Sequence, residues 1–275
     1  MKKIFLITLS LVLAASFVFN SCKSCKNGGG DQDQKKIQLE EEKLTDEIEK
    51  AIYPLPTSAE VIEMLTELEV GYIIGISNPV ENASNYITSK SQAINLGIYG
   101  ADLSYATLYN MNQDVINYLD VIRELANNLK MSKIYSKELY EDIKNSFDNK
   151  DRLVSILTDA FNRTYAYLNE NDQESLALLV VAGAWVEGMY ITTHISESVY
   201  HVEGIVRVLL EQKKSFELYL EIAEPYADDP VVKEMLDILK PVKEVYEEVE
   251  DNSLTLKNVE DITLAVSVVR ELLVS

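Results

Sequence analysis

Residues 176–190 read LALLVVAGAWVEGMY, apolar around the full circumference of a helix and carrying a single charge, Glu187. A helix without a polar face has to be enclosed, by other protein elements or by lipid. Continued to Ile195, the stretch just reaches the roughly 20 residues of a membrane span. Against spanning, Glu187 lies inside it, Thr192, Thr193 and His194 weaken its end, and acids flank its start. The expectation is therefore an all-α, multi-helix bundle of roughly eight to ten helices, with residues 173–195 as its buried central helix.

A second stretch, 94–110, reads INLGIYGADLSYATLYN and is rich in small residues: Gly97, Gly100, Ala101, Ser104 and Ala106. Glycine inside a helix costs about 1 kcal/mol relative to alanine, so Gly97 and Gly100 together predict close approach between helices. Asp102 is its only charge, as Glu187 is in the central stretch. Each acid is followed three residues later by a tyrosine, Asp102-x-x-Tyr105 and Glu187-x-x-Tyr190, which admits an ancient duplication or a chance match.

Around these two segments the chain shows helical periodicity. A weakly amphipathic segment at 37–53 ends at Pro54-Leu55-Pro56. Thr57 with Glu60 forms a capping box, and Val61, Leu65, Leu68 and Tyr72 mark a helix expected to stop near Asn78-Pro79, followed by a polar loop at 81–86. Val115, Leu119, Ile122, Ala126 and Leu129 make one stripe, Ser136 caps a short helix through Phe147, and Leu153, Ile156, Ala160, Thr164 and Leu168 make another. Residues 196–203 read as either a continuation or a break. Ile205, Leu209, Phe216, Tyr219 and Ala223 follow, then Val232, Met235, Leu239, Val242, Tyr246 and Val249, interrupted by Pro241, and finally Val259, Ile262, Val266, Val269 and Leu273. No fixed-period repeat and no alternating β-branched run competes.

The N-terminus, MKKIFLITLSLVLAASFVFNSC, places two lysines before an uncharged stretch and then Asn20-Ser21-Cys22. This is the pattern of a secretory signal. Its end resembles the lipobox of bacterial lipoproteins, in which a small residue, here Ser21, precedes a cysteine that becomes the lipidated N-terminus; Phe19 stands where Leu, Val or Ile is usual. The expected organisation is a signal peptide at 1–21, lipidated Cys22 with a flexible tether through 36, and a single helical domain at 37–275. The tether has a typical reach of roughly 20 Å and a maximum of roughly 50 Å.

Removing 1–21 leaves 23 basic and 45 acidic residues, a net charge of −22. That balance argues against nucleic acid and against electrostatic adhesion to anionic lipid. Both cysteines, Cys22 and Cys25, lie at the lipobox, and a lipidated Cys22 has no thiol to offer to redox or metal chemistry.

No GxSxG, Walker, HExxH or GxGxxG motif occurs, and neither histidine stands three residues after a glutamate as a di-iron bundle requires. His194, Glu197 and His201 lie on one helical face, but the histidines are two turns apart, roughly 10 Å, too far for one ion. No catalytic residue, metal site or cofactor is assigned. The sixteen tyrosines, spread over nearly every helix, read as amphipathic core edges.

The remaining candidates are the two lone acids. A buried carboxylate must be paired, hydrogen-bonded or protonated. Arg123, Arg152, Arg163, Arg207 and Arg270 are candidate partners, and Tyr99, Tyr105 and Tyr190 candidate donors. Asp102, Tyr105, Glu187 and Tyr190 therefore form either a satisfied polar network in the core or the wall of a ligand pocket between helices.

The lipobox at Asn20-Ser21-Cys22, LGIYGADLSYATLYN at 96–110, AGAWVEGMY at 182–190 and EPYADDP at 224–230 together resemble a group of uncharacterised all-helical bacterial lipoproteins. The resemblance implies a membrane-tethered helical body and implies no activity and no site residues. The expected function is a non-catalytic binding or scaffolding lipoprotein of the cell envelope, anchored through Cys22, in the outer membrane facing the periplasm. Its partner would be an envelope protein. The alternative is a small-ligand or glycan-binding protein using an inter-helix pocket near Asp102 and Glu187, with an enzyme third.

Overall fold

The apolar stripes become the buried faces of helices in the computed structural model, which describes residues 71–196, 203–249 and 253–275. Its α-helices are α1 (Ser89–Leu108), α2 (Asn112–Asn128), α3 (Lys137–Lys144), α4 (Lys150–Glu170), α5 (Glu174–Ser196), α6 (Glu203–Ala223), α7 (Pro230–Glu247) and α8 (Leu256–Val274), with short 3-10 turns at Val80–Asn85 and Glu224–Tyr226. No strand occurs among the described residues. The fold is an all-α bundle.

Local chemistry sets the helix starts. Thr88 accepts from the Ser91 backbone while Ser91 returns the bond, a capping box for α1, and Thr255 does the same with Asn258 for α8. Ser136 caps α3 as its spacing predicts, though that helix ends at Lys144, short of Phe147. Asp229 caps α7 and also accepts a 2.6 Å bond from Ser175 at the start of α5, joining the two helix ends. The α7 helix continues through Pro241.

Helix α5 is the centre. By length and composition it is long and apolar enough to cross a membrane, yet 78% of its most apolar window is buried inside the bundle. It packs against α1 so closely that backbones touch. A Cβ on Gly97 would overlap the Val180 carbonyl oxygen and lie 2.7 Å from the Ala184 nitrogen, and a Cβ on Gly183 would overlap the Ile94 carbonyl. Gly97 and Gly183 are thus reciprocal: each helix presents its bare backbone to the other.

Gly100 behaves differently from the expectation. Nothing lies within 4 Å of where its Cβ would be, and it borders a mostly apolar cavity of about 30 Å³ lined by Leu96, Ser104, Leu119, Ile143 and Val180 among others. Helix α1 turns Gly97 toward α5 and Gly100 toward α2–α4, so only one of the two glycines is required by close approach.

Two expectations are corrected upstream of α1. Residues 71–78 are not the end of a helix: they run as an extended segment with a turn at Ile74-Gly75, and Gly75 has φ +83°, a left-handed conformation that breaks any helix there. The predicted polar loop at 81–86 is largely a 3-10 turn that buries Ala83, with Tyr86 buried just after it. The segments at 37–53 and 57–70, the lipobox with Cys22, and Glu197 and His201 lie outside the described residues.

These contacts predict opposite effects for two alanine substitutions in one helix. Gly97→Ala should destabilise the bundle by about 1–3 kcal/mol through overpacking, whereas Gly100→Ala should stabilise it by about 1 kcal/mol through helix propensity alone. Urea unfolding of the two variants beside the parent chain measures both; equal effects would contradict the packing.

Candidate functional site

Asp102 sits mid-way along α1 and Glu187 in α5, and both are fully buried, 0% exposed. The glycine contact that draws α1 onto α5 brings these lone charges into one polar core. Glu187 is met by Arg270 of α8 in a two-point fork: Nε donates to Oε2 at 2.7 Å and Nη2 to Oε1 at 2.8 Å. Such a planar fork matches the carboxylate better than any ammonium. The same guanidinium donates from Nη2 to the Ile76 carbonyl at 3.2 Å and lies over the Tyr190 ring, 4.2 Å from its centre. Tyr190 in turn packs on His194 with ring centres 4.1 Å apart.

Asp102 has no cation of its own. Its Oδ2 accepts from the Asn78 backbone N–H at 3.1 Å, while Oδ1 and the neighbouring Ser77 hydroxyl have no hydrogen-bond partner of acceptable geometry. Burial pushes the Asp102 carboxyl well above its ordinary range, and the negative charge of Glu187 pushes it further; Ser77 and Arg270 pull weakly the other way. Burial also raises Glu187, but there the hydrogen bonds and charge of Arg270 oppose it. The two acids are therefore unlike: Glu187 has Arg270 as its counter-charge, whereas Asp102 has none, so burial favours the neutral form of Asp102.

The polar core extends outward through Asn78, itself fully buried. Its Nδ2 donates to the Tyr86 hydroxyl at 3.0 Å and to Asn95 Oδ1 at 3.3 Å, and its Oδ1 accepts from Asn82 at 2.8 Å. Asn95 and Tyr86 then donate to the Leu273 and Val274 carbonyls at the end of α8. Tyr99 donates to the Pro79 carbonyl at 2.8 Å, and Tyr105 accepts from the Ile73 N–H at 2.9 Å. Tyr72 stacks on Tyr105 with centres 5.0 Å apart and donates to Asp114. Segment 71–79, which has almost no backbone hydrogen bonds of its own, is thus held by side chains of α1, α2 and α8.

Of the sequence candidates, Asp102 and Glu187 come together, and Tyr105 and Tyr190 adjoin them in separate tasks, one latching Ile73 and the other flooring Arg270. Among the arginines, Arg270 is the partner; Arg123 and Arg163 pair with Asp120 and Asp159 on the surface, and Arg152 donates to Ser146. The cavity beside Gly100 is lined by neither acid. No cluster of three or more His, Cys, Asp or Glu able to hold a metal occurs among the described residues. Ser77, Asn78, Tyr86 and Asn95 escape sequence reasoning; the one legible signal was Asn95, set between Ile94 and Leu96 in AINL, whereas Asn78 stands between Ser77 and Pro79 and reads as a turn residue.

The arrangement can hold a proton in a dry site, fix a guanidinium in one orientation and clamp a chain segment across three helices. No protein-family model matches the chain, and no curated protein or solved structure matches it.

Removing either acid should have unequal effects. Glu187→Gln leaves Arg270 buried beside a neutral amide and should cost about 3–5 kcal/mol. Asp102→Asn replaces a protonated carboxyl by a group of the same shape that still accepts from Asn78, and should cost under about 1 kcal/mol. Thermal and urea unfolding at neutral pH give both values, and a large loss in Asp102→Asn would show that the carboxyl is charged.

Proposed function

We propose that this chain is a non-catalytic binding or scaffolding lipoprotein of the cell envelope, anchored in the outer membrane through lipidated Cys22, with its helical body in the periplasm. The buried polar core supports a structural role for Asp102, Glu187 and Arg270, since Asp102 and Arg270 hold segment 71–79 and Glu187 holds Arg270. The observation that carries a binding role is on the outer face of α8. There Leu264, Val268 and Leu272 are 67%, 46% and 59% exposed and recur every four residues, a single apolar ridge.

Exposed Glu260 and Glu271 flank that ridge, and the chain carries a formal charge of −20. The complementary partner is an envelope protein presenting a helix with an apolar row and basic flanks, since opposite charge favours encounter and suppresses self-association. The second reading, a small ligand or glycan between helices near Asp102 and Glu187, has less support, because both acids are fully buried and the cavity beside Gly100 does not reach them.

Site-specific photocrosslinking in cells tests this. A crosslinking residue at position 268 should give an adduct with a second, different protein that disappears when Leu264 and Leu272 are changed to lysine, while the same residue at exposed position 240 on α7 gives none. Adducts confined to this chain, or joining two copies of it, would contradict the proposal.

A further inference from the structure

Segment 71–79 has an unusual means of attachment. Its Ile73 N–H, Ile76 carbonyl, Asn78 N–H and Pro79 carbonyl are each held by a side chain, Tyr105, Arg270, Asp102 and Tyr99 respectively, rather than by the backbone of a neighbouring element. Two of these holders, Arg270 and Asp102, belong to the polar core around Glu187. Asn78 of the segment bonds Asp102 through its N–H and Ser77 lies beside it, so the segment forms one of the covers over that carboxyl.

We propose that segment 71–79 is a strap latched by a single proton held on the Asp102–Glu187 pair, and that loss of this proton opens the strap.

The charge balance of the site carries the inference. Two fully buried carboxyls share one largely buried guanidinium, and that guanidinium is already committed to Glu187 by two bonds and to the Ile76 carbonyl by a third. A second negative charge at Asp102 would be uncompensated, with one oxygen bonded only to a backbone N–H and the other to nothing. Arg270, already spent on Glu187, and the Ser77 hydroxyl relieve it only in part, and the other groups that face the pair add nothing. Tyr99 from α1 and Tyr118 from α2 are phenols whose own ionisation is pushed upward by burial and by Asp102, Tyr118 to about 12. Tyr86 is likewise pushed upward by burial, and His194 acts on Glu187 rather than on Asp102. The least disruptive way to hydrate a charged Asp102 is to lift the segment that covers it, since α1, α5 and α8 are fixed to one another by Gly97, Gly183 and the core.

Linkage gives the direction. In the closed strap the Asp102 carboxyl binds its proton more tightly than an exposed one; in the open strap it is solvated and ordinary. Closure is therefore fully favoured below the ordinary value near 3.8 and weakens as pH rises from there, levelling off once pH passes the raised value of the closed state.

Two nuclear magnetic resonance measurements on the full-length chain test the proposal. The carbon-13 resonance of the Asp102 carboxyl should remain that of a protonated acid well above the ordinary carboxyl range. Over the same interval, hydrogen-exchange protection of the Ile73 and Asn78 amides, corrected for intrinsic rate, should fall about tenfold per pH unit, the limit for one linked proton. It should then level off where Asp102 titrates, and protection of Leu119 in the α2 core should stay higher throughout. In Asp102→Asn the protection of Ile73 and Asn78 should be independent of pH. A charged Asp102 in the carbon spectrum of the parent chain would overturn the proposal even if the variant failed to fold. So would strap amides that exchange at the Leu119 rate at every pH, or a pH slope retained in Asp102→Asn.

Discussion

Arg270 reaches from the last helix to a carboxylate in the middle of the bundle, and the placement of three elements follows from that contact. Its two bonds to Glu187 fix α8 against α5, its bond to the Ile76 carbonyl fixes segment 71–79 against both, and its stacking over Tyr190 leaves the guanidinium a single orientation. A buried ion pair is seldom more stabilising than well-packed apolar residues of the same volume, but breaking one leaves a charge stranded. Its contribution here is selection: a sliding or rotated α8 would leave Glu187 without its two-point partner, with only the more weakly acting Asp102 and His194 near it. An α5 without Glu187 could meet α8 in several registers, and that one buried charge removes the freedom.

The dryness that gives the pair its leverage comes from the glycines. Gly97 and Gly183 let α1 and α5 meet backbone to backbone, which leaves no room for solvent between them and places Asp102 beside the ion pair. In that environment two ionised acids and one base would be out of balance, and retention of a proton by Asp102 restores it. Aromatic residues join the strap to α1: Tyr72 of the strap packs with Tyr105 and Tyr109 as one cluster, and Tyr86 packs on Tyr99 beyond its other end. Helix packing, proton affinity and strap docking are therefore one arrangement, and a change in any of them is felt by the other two.

Much of the bundle was legible from periodicity. Val115, Leu119, Ile122, Ala126 and Leu129, and likewise Val259, Ile262, Val266, Val269 and Leu273, are buried as their spacing requires. The burial of α5 followed from its lack of a polar face, and the meeting of Asp102 with Glu187 from their being the only charges in the stretches 94–110 and 176–190. What periodicity hid was set by long-range packing. Arg270 could not be chosen among the arginines because it lies 83 residues from Glu187, and nothing local marks it. Segment 71–79 is hidden from periodicity because Tyr72, Ile73, Ile74 and Ile76 continue an apolar pattern through Gly75, whose left-handed φ cannot be told in sequence from that of a packing glycine. Gly100 shows the converse: the same residue, three positions from Gly97, faces open space because the helix turns it away from α5.

The account rests on Glu187 and Arg270 acting as one unit, and a double-mutant cycle measures that directly. Urea unfolding of Glu187→Leu, Arg270→Leu and the double variant should show each single change strongly destabilising, with the double variant recovering much of the loss, for a coupling of about 2 kcal/mol or more. Additive losses, with the double variant as unstable as the two single changes combined, would mean that the pair does not hold the core together and would contradict the account.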